Sequence, residues 1–166
     1  MGKLFHITNP YFYVGGPPNF NSWLTYEYSV VSSVTRGNQP LKIFAKSRVF
    51  NADLYSDLIA KTFRDDLRVQ TWQSTKICIK QISRIGSMQF YDGFKFRSTV
   101  DHSKWAVTEN LNWICIADLN IRKSQYGRGG LAVCLNHKDL ANEFRSIAWN
   151  TIPCKEIPLG VCPSYG

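Results

Sequence analysis

Apolar and polar positions along the chain change period several times, and each change marks an element. Leu41 to Lys46 alternates apolar with basic residues, the period of a strand. A helical period follows, with Leu54, Leu58, Ile59 and Phe63 on one face. Asn51 or Asp53 can cap that helix, and Asp57 stands four residues before Lys61. Leu67 to Trp72, with the β-branched Val69 and Thr71, predicts a second strand. Ile77 to Ile85 predicts a third, ahead of a loop through Asp92-Gly93. Trp105 to Val107, Trp113 to Leu119 and Leu131 to Leu135 are three more strand-like runs. Lys138 to Trp149 returns to the helical period, carrying Leu140, Phe144 and Ile147 on one face. The first forty residues are punctuated by Asn9-Pro10, Gly15-Gly16-Pro17-Pro18 and Gly37-Asn38-Gln39-Pro40, around an aromatic segment with Trp23, Tyr26 and Tyr28. Strands interleaved with helices predict an α/β (α+β) sandwich, a mixed β-sheet flanked by helices. Neither an internal repeat nor a composition break divides residues 1–166, so one domain is expected.

Composition narrows this picture modestly. With 44% hydrophobic and 19% charged residues, the 166-residue chain has ample apolar surface for a core. A net charge of +8 suits an anionic partner, nucleic acid or a membrane surface, and equally suits a basic soluble protein. No run approaches the roughly 20 apolar residues of a membrane span. The segment Met1 to Tyr11 lacks the basic and apolar regions of a signal peptide and reads as an internal start. Cys78, Cys115, Cys134, Cys154 and Cys162 show no metal-ligand spacing, so no metal is expected. Two disulfides with one leftover thiol fit a secreted or lysosomal protein, while five reduced thiols fit a cytosolic one.

The chemistry-bearing segment is Asp101-His102-Ser103-Lys104-Trp105. On a strand, residues two apart share a face, so His102 and Lys104 can reach one ligand. The ammonium can neutralise a phosphate oxygen while the imidazole attacks phosphorus or moves a proton. By itself the triplet is also what an exposed polar strand end looks like. Ala117-Asp118-Leu119-Asn120, ending the next strand, can add Asp118 or Asn120 as hydrogen-bonding groups. Arg128-Gly129-Gly130 offers a guanidinium and backbone amides suited to phosphate, or an ordinary hairpin turn.

These segments together resemble the deoxyribonuclease II family, a branch of the phospholipase D superfamily. Asp101 to Trp105 looks like its C-terminal catalytic motif. Phe44-Ala45-Lys46 and Asp53-Leu54-Tyr55-Ser56 are similar to its "FAK…DLYS" stretch, and Val69-Gln70-Thr71-Trp72 to its "VQxW" strand. Cys115 to Asn120 resembles "CxGDxN", Arg128-Gly129-Gly130 with Cys134 resembles "RGGGTxC", and Asn9 to Tyr13 resembles "YPWVY". The resemblance covers nearly the whole chain and makes it that family's C-terminal, phospholipase D-like half, with the N-terminal half absent. It implies bridges Cys115–Cys134 and Cys78–Cys154, with Cys162 unpaired. Closing loops of roughly 20 and roughly 75 residues would stabilise by about 3 and about 4.5 kcal/mol.

The implied activity is acid, metal-independent and cofactor-free hydrolysis of DNA to 3′-phosphate ends through a phosphohistidine. His102 is then one of two catalytic histidines, Lys104 holds the phosphate, and Asn120 supports it. Asp118, Arg128, Gly129 and Gly130 line the substrate site. Three departures stand out. The family carries two His-x-Lys motifs and this chain one, its other histidines, His6 and His137, lacking the spacing. Ala117 replaces the glycine before Asp118, and Leu131-Ala132 replaces Gly-Thr. A second half, from a homodimer or a separate N-terminal half, is therefore expected for cleavage. The alternatives are a catalytically silent secreted member that binds DNA or a host protein, and phospholipid head-group hydrolysis by superfamily analogy.

Overall fold

The computed structural model describes residues 27–72, 79 and 81–153. The expected Cys78–Cys154 bridge, Cys162 and the N-terminal aromatic segment before Glu27 lie outside them. Among the described residues, nine strands form one mixed sheet: β1 Tyr28–Val34, β2 Pro40–Lys46, β3 Leu67–Gln70, β4 Ile82–Gln89, β5 Lys95–Arg97, β6 Trp105–Thr108, β7 Trp113–Ala117, β8 Gly130–Asn136 and β9 Asn150–Pro153. Their order is β1-β2-β8-β7-β6-β3-β4-β5, with β9 also pairing β4. All described pairs are antiparallel except β3 with β4. The expected class, a mixed sheet flanked by helices, is what the chain forms.

Helix α1 begins at Leu54, π-wound through Ala60, and continues α-helically over Lys61–Phe63. Asp53, not Asn51, caps it: its carboxylate accepts from the amides of Tyr55 and Ser56 at 2.9 Å each. Lys61 bonds Asp57 at 2.8 Å, the expected one-turn pair. Leu54, Leu58, Ile59 and Phe63 are all buried, packing with Phe44, Val69, Ala106, Cys115, Ala132 and Cys134 on one face of the sheet. Helix α2, Lys138–Ile147, covers part of the other face over Trp105, Val107, Ile114, Ile85 and Met88. Period-two burial along β6 follows, since Ala106 faces one core while Trp105 and Val107 face the other.

Several boundaries differ from the sequence expectation. The third strand is β4, Ile82–Gln89, which runs past the expected end at Ile85 and buries Ile82 toward one core and Ile85 and Met88 toward the other, while Ile77, Cys78 and Lys80 lie outside the described residues. A register shift between Ile85 and Ser87 absorbs the extra residue at Gly86. In α2 the buried position is Ala141, with Phe144 and Ile147 packed beside it, while Leu140 is exposed. Trp149 lies past that helix, just before β9. The serine-rich edge strand β1 has no apolar alternation to announce it; it pairs β2 across the turn at Asn38, whose φ is 59°. Cys115 and Cys134 are register partners on β7 and β8 and form the expected disulfide.

Candidate active site

Five strand ends meet at one border of the sheet. Register pairs Lys46 with Gly130, Ala117 with Ala132, Trp105 with Ile116 and Gln70 with Trp105. The loops leaving those ends, 71–72, 98–104 and 118–129, therefore converge, and every candidate residue of the sequence motifs sits on or beside them.

The longest of these loops is held from below. Lys46 is fully buried, and its Nζ donates to the carbonyls of Tyr126 and Arg128 at 2.7 and 2.6 Å, and to Gln125 at 3.5 Å. Burial lowers its pKa from the usual lysine value, opposed by the carboxylates of Asp53 and Asp118. Tyr55 donates its hydroxyl to the Leu119 carbonyl at 2.6 Å, and the Asn120 amide donates to Gln125 Oε1 at 2.9 Å. The Asp118 carboxylate accepts from the Leu131 amide at 2.9 Å. Burial raises the Asp118 pKa, while the Leu131 amide and the ammonium groups of Lys46 and Lys104 pull it back. Gly130 opens β8 where a Cβ would stand 2.3 Å from Leu119 Cδ1. Its missing side chain makes room for the loop base.

His102 and Lys104 do not stand on a strand. Residues 101–104 form a loop, and β6 starts only at Trp105. The Asp101 carboxylate folds this loop: it accepts from the Ser103 amide at 3.0 Å and from the Ser103 hydroxyl, and Gln70 Nε2 anchors it at 3.1 Å. This compact turn leaves His102 exposed. The two residues are joined differently from a shared strand face, by Lys104 Nζ donating to the His102 carbonyl at 2.8 Å. The Lys104 carbonyl accepts from the Ala117 amide at 2.9 Å, which sets the ammonium against the field of Asp118. The imidazole stacks on Trp72, ring centroids 4.7 Å apart and planes 20° from parallel.

The structure thus brings His102, Lys104 and Asp118 to one border, with Asn120 two residues farther along its loop. No hydrogen bond joins Asn120 to His102 or Lys104 among the described residues. Its Oδ1 is buried without a partner among them, an acceptor left over. Arg128 is exposed, and its side chain has no hydrogen-bond or ion-pair partner among the described residues. Gly129 is half-buried beside it. The substituted Ala132 is wholly buried in the core beneath the border, the register partner of Ala117, whereas Leu131 lends its amide to Asp118. Sequence reasoning passed over Lys46, Gln70 and Trp72 as parts of the site. Each ends a strand or follows one at this border, and the motifs containing Lys46 and Trp72 were the available signal. No group of three or more His, Cys, Asp or Glu side chains that could hold a metal lies among the described residues.

A family model of deoxyribonuclease II matches residues 19–154. Among curated relatives, "Cell-death-related nuclease 7" of Caenorhabditis elegans is 31% identical over 80% of this chain and 37% of its own length. "Deoxyribonuclease-2" of the same organism is 36% identical over 72% of this chain and 34% of its own. "Deoxyribonuclease-2-alpha" of Mus musculus is 32% identical over 77% of this chain and 39% of its own. The chain spans little more than a third of the length of these relatives.

Proposed function

Because the chain belongs to the deoxyribonuclease II family, we propose that it supplies one of the two halves of an acid, metal-independent DNA endonuclease. The observation that carries this reading is the exposed His102, its imidazole stacked on Trp72 and its carbonyl bonded by the Lys104 ammonium, at a border that also offers the Arg128 guanidinium. Phosphoryl transfer through a covalent intermediate needs a nucleophile on one side of phosphorus and a proton donor on the other, roughly in line. One histidine nitrogen bonds to phosphorus as the P–O5′ bond breaks, and the second histidine's proton goes to the leaving oxygen. Water then attacks the phosphohistidine, the P–N bond breaks, and a 3′-phosphate is released. Such a cycle wants one imidazole neutral and its partner protonated, which favours acid. Lys104 neutralises a phosphate oxygen, Arg128 with Gly129 and Gly130 bounds the substrate path, and Asp118 keeps Lys104 in place.

One imidazole cannot serve both sides of phosphorus. The second His-x-Lys comes from another copy across a twofold axis or from an N-terminal half of the kind the family carries. A secreted or lysosomal setting fits the Cys115–Cys134 bridge and acid operation. The test is plasmid nicking at acid pH in EDTA by the purified chain of measured oligomeric state. Cleavage that requires a dimer or an added half, and is lost in His102→Ala, is expected. Robust cleavage by a monomer, abolished by His102→Ala, overturns the two-half requirement. DNA binding without cleavage in any assembly identifies a catalytically silent binder, the reading that the single His-x-Lys motif favours second.

A further inference from the structure

An exposed histidine has two free side-chain torsions, and a reactive one needs its plane fixed. A carboxylate or carbonyl usually does this through one ring nitrogen. Among the described residues, no hydrogen bond reaches the His102 ring; its one ring contact is the stack on Trp72. Trp72 is well placed to act as a fixed wall. It follows the buried end of β3, where Gln70 and Thr71 are both fully buried. Its Nε1 donates to the Thr99 carbonyl at 3.0 Å, tying it to the loop that carries His102. The Arg122 guanidinium lies 4.7 Å from its ring centroid, tying it to the loop that carries Asn120. Thr71 Oγ1 accepts from the Ile121 amide at 3.4 Å in the same place. One indole thus joins three loops of the border.

We infer that Trp72 is a positioning residue for His102, fixing the imidazole plane by stacking and leaving both ring nitrogens open at their edges. A hydrogen-bonding partner would occupy one nitrogen; a stacked wall occupies neither. The inference rests on His102 carrying the phosphoryl chemistry, and Trp72 itself need not touch the reacting atoms.

Two readouts test it in the full chain. The first needs no activity: proton NMR of His102, assigned by its loss in His102→Ala. The His102 ring protons should be displaced upfield by the indole in the wild type and in Trp72→Phe to a lesser degree, and should return to ordinary positions in Trp72→Ala. His137, which caps α2, should stay put as the folding control. The second is nicking by the assembly that cleaves DNA. Trp72→Ala should lower kcat about tenfold or more with KM within about twofold, and Trp72→Phe should recover most of it. Unmoved His102 signals in Trp72→Ala, an unchanged kcat, or a loss confined to KM would each overturn the inference. If the wild type and His102→Ala behave alike in nicking, the phosphoryl-transfer reading fails, while the NMR comparison still decides whether Trp72 orients the ring.

Discussion

Replacing Lys46 with methionine keeps the length of the side chain and removes its charge and three donors. In the native fold that ammonium satisfies the Tyr126 and Arg128 carbonyls through short bonds of 2.7 and 2.6 Å, with Gln125 more distant at 3.5 Å. Two carbonyls lose their partner in Lys46→Met, at about 1–3 kcal/mol each when buried. Against this stands the cost of burying the ammonium, which is why its pKa is lowered, and which the variant no longer bears. The balance is a net loss of about 2 kcal/mol, or a fall in Tm of about 4–8 °C for a chain of this size. The charge adds a sign test. Folded Lys46 gives up its proton below the ordinary value of 10.5, so the folded state binds fewer protons in that window. Wild-type stability should therefore gain on Lys46→Met as pH rises from the lowered folded pKa toward 10.5. Urea unfolding at several pH values measures both effects, and hydrogen exchange at residues 125–128 locates the damage. A loss below about 0.5 kcal/mol, with exchange in that segment unchanged, would refute the clamp.

Two further outcomes follow, one at the same border and one at the opposite ends of β3 and β6. Gly130→Ala places a Cβ 2.3 Å from Leu119 Cδ1 and 3.0 Å from Asp118 Oδ1, so thermal unfolding should show a loss of about 1–3 kcal/mol, partly recovered by adding Leu119→Ala. Glu109 accepts from Arg68 Nε and Nη2 at 2.7 and 2.6 Å, and that bonding lowers its pKa below the usual 4.5. Both side chains are partly exposed, so Glu109→Gln should cost only about 0.5–1 kcal/mol at neutral pH. A depressed carboxylate stabilises above its unfolded pKa, and the difference from Glu109→Gln should vanish as pH falls through the folded value. An unchanged difference at pH 7 and at strongly acid pH would contradict it.

Local pattern alone determined much of this protein. The apolar face Leu54, Leu58, Ile59 and Phe63 with the Asp53 cap specifies α1, because a helix face is built from neighbours in sequence. The ordered motifs around His102, Asp118 and Arg128 likewise disclosed the family, and the Cys115–Cys134 pair was implied with it. What pattern could not supply was whatever depends on a distant partner. Edge strand β1 buries too little on either face to leave a period, so only its pairing with β2 reveals it. The bulge at Gly86 turns a spacing of two into three, and only the pairing with β9 shows where the extra residue goes. His102-Ser103-Lys104 read as a strand because its spacing suits one, yet Asp101 folds it into a turn anchored by Gln70, 31 residues away. Lys46 lies 82 residues from the Arg128 carbonyl it holds, and Trp72 meets His102 from the loop that follows β3. The residues of the border were legible as types in the sequence; the contacts that orient them arise only when the strand ends are brought together by the sheet.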